Sequence, residues 1–216
     1  MNLLPPNLPE LLPEARQHLQ RWAERRALNL YAPPLTVNFP YQNLPPSARL
    51  TYELVGWHNF PVYLPLFAAD SSPFVDARFQ QQAALELYAA DLLTDMRYSW
   101  KRGGCDWLVR RLDEQPVGVL HLYELSHEVI NGQVPFCSVG YAVAAPFRQL
   151  GYGTEMLAHL LAQAAGLFER TEARALTNAA NAASGALLRK VGFTVLEERT
   201  GGRGHDAYTL WQRYLG

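Results

Sequence analysis

Arg148-Gln149-Leu150-Gly151-Tyr152-Gly153 joins an apolar, strand-like run to an amphipathic stretch that starts at once. Glycines at that spacing let an anion approach bare backbone, because no Cβ stands in the way. A helix N-terminus adds unpaired N–H groups and a partial positive charge. Arg148 adds a full charge on a fork suited to phosphate oxygens. The chemistry that such a turn fits is diphosphate binding. It is neither the GxGxxG dinucleotide turn nor the Walker pattern with its lysine and hydroxyl. Taken alone, the hexapeptide equally describes a glycine-rich connection with a surface arginine.

A second constellation follows thirty residues after Gly151: Asn181-Ala182-Ala183-Ser184, then Gly192-Phe193. Asparagine is a favoured N-cap, and Asn181 would accept from the N–H of Ser184. Serine early in a helix also caps, so its hydroxyl has a structural use as well as a chemical one. Proton acceptors are sparse near the motif. No acid lies between Glu128 and Glu155, so the run before the turn offers none. His205 and Asp206, in the loop GGRGHD, are the nearest titratable groups to the last strands, and His205 can accept a proton directly or through water. His121, Glu124 and His127 are further candidates. Cys105 and Cys137 form no CxxC pair and join no histidine cluster, so no metal site is expected. Buried free thiols are the expectation for both, with a disulfide left open.

These residues need elements to hold them. ARLTYELV, from Ala48, alternates and reads as a first strand. Helices are expected over about Trp57 to Ala69 and Arg78 to Trp100, the second stopped by Gly103 and Gly104. DWLVRRL and VGVLHLYEL read as strands around the tight turn DEQP. PFCSVGYAVA is another strand leading into the motif. The following helix, about Gly151 to Glu169, has Leu157, Leu160, Leu161, Ala164 and Phe168 on its apolar face. ARALTN is a short strand, NAASGALLRKVGF a short helix closed by Gly192, and TVLEERT with AYTLWQRYL a terminal strand pair. Strand–helix–strand from Phe136 to Asn178 implies a right-handed crossover between parallel strands. The flanking hairpins imply antiparallel ones, so the sheet is mixed and the domain α/β or α+β.

Residues 1–46 differ from the rest. Two proline-rich stretches, Pro5 to Pro13 and Pro33 to Pro46, bracket one amphipathic helix carrying Leu19, Trp22 and Leu30. Its apolar stripe must be buried, against its own domain, in a homodimer contact, or as a lid over a cleft. Two units are therefore expected: an extension over 1–46 and a domain over 47–216.

The chain of 216 residues is 49% hydrophobic and 18% charged, the profile of a soluble globular protein. A net charge of −1 leaves no footprint for nucleic acid or an anionic membrane. The N-terminus does not read as a signal peptide, and no segment approaches the roughly 18 apolar residues that a span needs. A cytoplasmic location is expected.

Across Ser47 to Leu215 the order and spacing of these motifs resemble the GNAT superfamily of acyl-CoA N-acetyltransferases. They are ARLTYELV, PVGVLHLYE, VGYAVAAPFRQLGYGTEML, NAASGALLRKVGF and HDAYTLW. The branch they look most similar to is the ribosomal-protein N-terminal acetyltransferase (RimJ/RimL-like) type. The resemblance implies a mostly antiparallel sheet of about seven strands with a splayed parallel pair at its centre, flanked by helices. It implies acetyl-CoA as co-substrate and an amine as acceptor, either a protein or peptide α-amine or a small-molecule amine. Backbone amides of Gln149, Leu150, Gly151, Tyr152, Gly153 and Thr154, with Arg148 opening the turn, would hold the pyrophosphate. Tyr141, Ala142, Val143 and Ala144 would offer free backbone to the pantetheine arm, and Asn181 would contact it too. Relatives place a tyrosine, the proton donor to the departing thiolate, where Leu188 stands here. A serine at the Ser184 position would meet the sulfur instead, where a hydroxyl donor stabilises developing charge. An α-amine, with a pKa of about 7.7–8.0, needs less help from a base than a lysine at about 10.4. An aminoglycoside acceptor is disfavoured, because a polycation should meet carboxylates and the part after Asn131 holds six acids against eight arginines and lysines, although the N-terminal half can supply others. The rival expectation is a domain that binds acyl-CoA without catalysis.

Overall fold

The computed structural model describes residues 43–55, 59–75, 105–123, 136–168, 170–201 and 207–216. The helix expected before residue 43, the one over Arg78 to Trp100, and Glu124, His127, His205 and Asp206 lie outside them.

Seven strands form one sheet: β1 (Leu50–Leu54), β2 (Cys105–Arg111), β3 (Pro116–Tyr123), β4 (Phe136–Val143), β5 (Glu172–Asn178), β6 (Thr194–Arg199) and β7 (Tyr208–Tyr214). Their spatial order is β1-β2-β3-β4-β5-β7-β6. All pairs are antiparallel except β4 with β5. The expected mixed sheet and its single parallel crossover are therefore present. The helix of that crossover is α2 (Tyr152–Phe168); a short α1 (Phe60–Tyr63) precedes it and α3 (Ala182–Lys190) follows β5.

The segment expected as a helix from Trp57 to Ala69 is α1 followed by a 3-10 turn over Leu64–Phe67. Pro61 and Pro65 account for the break, since each removes a helical donor and crowds the preceding turn.

Strand alternation divides the core. Leu50, Tyr52, Trp107, Val109, Leu120, Leu122, Cys137 and Val139 face α2, whose Met156, Leu157, Leu160, Leu161 and Ala164 are buried against them. Each fully buried aliphatic side chain of that size contributes about 1.5–3 kcal/mol. Leu108, Val119 and Ala142 face the other way, onto Tyr63 and Phe67. Cys105 and Cys137 are free and buried, as expected.

Gly118 is obligatory in β3: a Cβ there would stand 2.4 Å from the Ala142 carbonyl oxygen of β4. The described chain just before Ser47 packs against the domain. Leu44 bridges Tyr52 and is buried in the main core, and His159 of α2 makes a 2.7 Å hydrogen bond to the Pro45 carbonyl.

Candidate acyl-transfer site

The parallel pairing of β4 and β5 is brief. Phe136, Cys137 and Ser138 match Glu172, Ala173 and Arg174, and no ladder partner follows. Beyond Ser138 the two strands part. A cleft of about 380 Å³ opens there, with Val139–Tyr141 and Ala175–Asn178 as its walls. Asn181 and Ser184 close one side, Pro73 and Phe74 the other. Residues from both faces of the sheet line it, so the cleft passes between the strands rather than lying on them.

Ala144 donates its N–H to the Val117 carbonyl, so even-numbered residues of β4 address β3. The N–H and C=O of Val139 and Tyr141 therefore address the gap. The expectation that Tyr141 to Ala144 all offer free backbone narrows accordingly. Ala142 and Ala144 point to β3 by the same alternation, and the Val143 carbonyl accepts from Arg148 Nε at 3.0 Å. A gap of this kind leaves backbone groups to be satisfied by a ligand.

After β4 the chain makes a 3-10 turn over Ala145–Phe147 and enters Arg148 to Gly151. Gln149 has φ 62° and Gly151 has φ 83°. Two left-handed residues at the N-terminus of α2 shape a turn whose backbone N–H groups suit an anion. A non-glycine in this region costs of order 1 kcal/mol or more and persists only where the surroundings fix it. Arg49 does that: its Nη1 donates to the Leu150 carbonyl at 3.2 Å, and its backbone N–H and Nε bind Glu155 of α2 at 2.8 and 2.7 Å. The Arg49 guanidinium also lies 4.6 Å over the Tyr152 ring. The turn and the gap together fit a pyrophosphate with an extended arm.

Two expectations at the turn change. The fork of Arg148 is turned to the buried carboxylate of Asp70, through Nη1 at 3.2 Å and a closer contact from Nη2. With Nε on Val143, the whole guanidinium ties the turn to the segment carrying Pro73 and Phe74. Gly153, in turn, lies under α3. A Cβ there would sit 2.7 Å from Leu187 Cδ1 and 3.4 Å from Val143 Cγ2. Its glycine is set by helix packing.

Asn181 caps α3 as expected, accepting from Ser184 N–H at 3.1 Å. Ser184 stands in the first turn, at the positive end of the helix dipole. Its Oγ is 2.7 Å from the Tyr141 hydroxyl, which also donates to the Ser184 carbonyl at 3.3 Å. Burial raises the Tyr141 pKa above its usual 10, against the opposing pull of the Ser184 hydrogen bond, so the phenol stays protonated at neutral pH. Sequence reading assigned Tyr141 only its backbone. Its side-chain role was invisible because Tyr141 and Ser184 are 43 residues apart. Leu188 is fully buried in the core. The phenol next to this helix is instead that of Tyr141 on β4.

On the other face of the sheet, His121 of β3 binds the buried Asp106 of β2 through Nδ1. His121 pairs with Gly140 across the ladder, and its ring rests against that glycine.

The family described as the acetyltransferase (GNAT) domain matches residues 63–194. No curated protein matches the chain. Among solved structures it is similar to RimL, a ribosomal-protein alpha-N acetyltransferase in complex with coenzyme A. That match has a TM-score of 0.65 and 19% identity, and covers 80% of this chain and 98% of that one. It is also similar to RimJ of Mycobacterium smegmatis with bound CoA-disulfide, with a TM-score of 0.66, 16% identity, and 81% and 88% coverage. A chimera of Vibrio cholerae spermidine N-acetyltransferase SpeG with hSSAT gives a TM-score of 0.60 at 9% identity, covering 78% and 96%. At such identities the likeness is one of fold. The family match spans more than half of the chain, which therefore belongs to the GNAT acetyltransferases. It is an acetyl-CoA-dependent N-acetyltransferase, and its reaction is acetyl transfer to an amine.

Among the described residues no group of three or more His, Cys, Asp or Glu is placed to hold a metal, and no helix is long and apolar enough to cross a membrane.

Proposed function

We propose that this enzyme acetylates the α-amine of a protein or peptide N-terminus in the cytoplasm. The observation that carries the reading is the cleft between the parted strands. Its rim of Pro73, Phe74 and Leu176 is uncharged, and no carboxylate is among its described lining residues. A polyamine would need carboxylates along its length, whereas a peptide N-terminus needs one amine site and apolar room for the residues behind it. The fold likeness to RimL, an alpha-N-protein acetyltransferase, supports the same acceptor.

Each element then has a task. Backbone N–H groups from Gln149 to Thr154 bind the pyrophosphate of acetyl-CoA, while Arg49 and Arg148 brace the turn from outside. Backbone groups of Val139 and Tyr141, with Asn181, align the pantetheine arm along the gap. Bound there, acetyl-CoA supplies an acetyl thioester. The Tyr141–Ser184 hydroxyl pair donates a hydrogen bond, then a proton, to the departing sulfur. The helix dipole at Ser184 favours the same negative charge.

The test is acetyl-CoA turnover on peptides with free N-termini, the same peptides with blocked N-termini and one lysine, and spermidine. Thiol release gives the rate and mass spectrometry the acetylated position. Highest kcat/KM on the free α-amine is expected. Preference for spermidine or for the lysine amine would overturn the acceptor assignment. Tight acetyl-CoA binding without turnover on any amine would favour a domain that binds acyl-CoA without catalysis.

A further inference from the structure

The transfer needs a group to take a proton from the amine, and the described lining residues of the cleft include no carboxylate or imidazole. Among the described residues, an imidazole lies one strand away from the β4 wall. His121 sits opposite Gly140, and Gly140 lines the cleft. Built at Gly140, a Cβ would lie 3.4 Å from His121 Cδ2, 3.5 Å from Cβ and 3.7 Å from Cγ. Cδ2, the ring atom nearest the cleft wall, is covalently bonded to Nε2. The opposite ring nitrogen, Nδ1, is held by Asp106, whose side chain is 6% exposed. A buried carboxylate on Nδ1 fixes the proton there and leaves the lone pair on Nε2, the arrangement that prepares an imidazole to accept a proton. The side chain of His121 retains 15% exposure, enough for a proton to leave through water.

We propose that His121 is the general base of this acetyltransferase and that Asp106 is its positioning residue. The proposal rests on the N-acetyltransferase reading above. As the amine nitrogen bonds to the acetyl carbon, His121 Nε2 takes the amine proton, directly or through one water. The carbon–sulfur bond breaks, and the sulfur leaves with its electron pair and takes a proton from the Tyr141–Ser184 hydroxyls. His121 releases its proton to solvent, and the hydroxyl pair regains one. The acceptor enters on the face carrying Phe74 and Leu176, which by alternation is the face that carries His121. Other charged groups described on this face are paired with each other: Glu53 with Arg110, Asp70 with Arg148, Glu172 with Arg174 and Glu197 with Arg199. From β4, Ser138, Gly140 and Ala142 share this face, and the 3-10 turn Leu64–Phe67, which packs on β3, carries no titratable residue. Gly140 keeps the path open, since any side chain there would stand between ring and cleft.

The experiment compares wild type, His121→Gln, His121→Ala and Asp106→Asn, with His159→Gln as a control on the far side of the sheet. Peptide acetylation is followed from pH 5.5 to 9. General-base loss typically costs 10²–10⁴-fold, so His121→Gln is expected to lower kcat/KM about a hundredfold at pH 7. It should leave only the pH rise of the amine itself. Asp106→Asn should lower kcat/KM as well, because nothing then holds the ring with its proton on Nδ1. Added imidazole should restore His121→Ala. Independently of turnover, 15N shifts of His121 in the enzyme alone should place the neutral ring's proton on Nδ1. Wild-type rates and pH profile in folded His121→Gln, or a neutral ring protonated on Nε2, would overturn the proposal. If spermidine alone is acetylated, the peptide reading fails, and the same profile measured on spermidine decides the role of His121.

Discussion

Replacing Tyr141 by phenylalanine removes one oxygen and leaves the ring that packs against the core. That oxygen lies 2.7 Å from Ser184 Oγ and 3.3 Å from the Ser184 carbonyl. If the contact only braces α3 against β4, the loss is that of a net hydrogen bond, about 0.5–1.5 kcal/mol of stability. In a domain of this size that lowers Tm by roughly 2–4 °C per kcal/mol and leaves kcat alone. If the hydroxyl pair serves the departing sulfur, the loss resembles that of one preorganised donor. Turnover then falls by about 10²–10³, or about 2.7–4 kcal/mol in the barrier. The two cases differ by more than tenfold in kcat and are told apart by thiol-release kinetics beside a thermal melt. Ser184→Ala completes a double-mutant cycle. Groups that act as one unit are not additive, so the double variant should be little slower than the slower single one. A donor must be protonated, and the Tyr141 pKa is raised, so its loss should matter equally from pH 6 to pH 9. A folded Tyr141→Phe enzyme with kcat within twofold of wild type would refute the assignment. Fully additive losses would refute the pairing.

Leu150→Glu places a carboxylate on an exposed position of the turn. Repulsion by the diphosphate is expected to weaken acetyl-CoA binding about tenfold at low salt, less at high salt, by calorimetric titration. Leu112→Glu, equally exposed but distant in the β2–β3 turn, should change nothing; equal effects would refute the cradle. Gly153→Val forces Leu187 and Val143 aside and should cost about 1–3 kcal/mol by denaturant titration; an unchanged midpoint would refute the close packing of α2 on α3. At Glu155, burial pulls the pKa up, but hydrogen bonds from Ser47 and Arg49 and the Arg49 charge outweigh it, leaving the carboxyl below its usual 4.5. A depressed carboxyl stabilises the fold above that value and loses its contribution as pH falls through its folded pKa. Glu155→Gln should therefore be less stable than wild type at pH 7, with the gap closing on acidification below 4.5; a constant gap would contradict this.

Much of the fold was written in local pattern. Short apolar runs marked the seven described strands to within a residue or two, and the period near 3.6 from Gly151 marked α2, because each element must bury one face whatever its partner is. The glycine-rich turn between β4 and α2 was legible because glycine marks a break in periodicity. Local pattern does not show where a residue serves a distant neighbour. Leu187 and Val143 crowd the Cα of Gly153. Asp70, far back in the chain, holds the fork of Arg148. The sequence alone determined the seven described strands, α2, α3, the parallel crossover and the glycine-rich turn before α2, all consequences of short-range periodicity and backbone freedom. Tertiary structure alone decided that β7 inserts between β5 and β6, that pairing of β4 with β5 ends at Ser138, and that Tyr141 meets Ser184 and His121 meets Asp106. Those contacts follow from which strands lie side by side, and no spacing along one chain encodes the distance between residues on neighbouring strands.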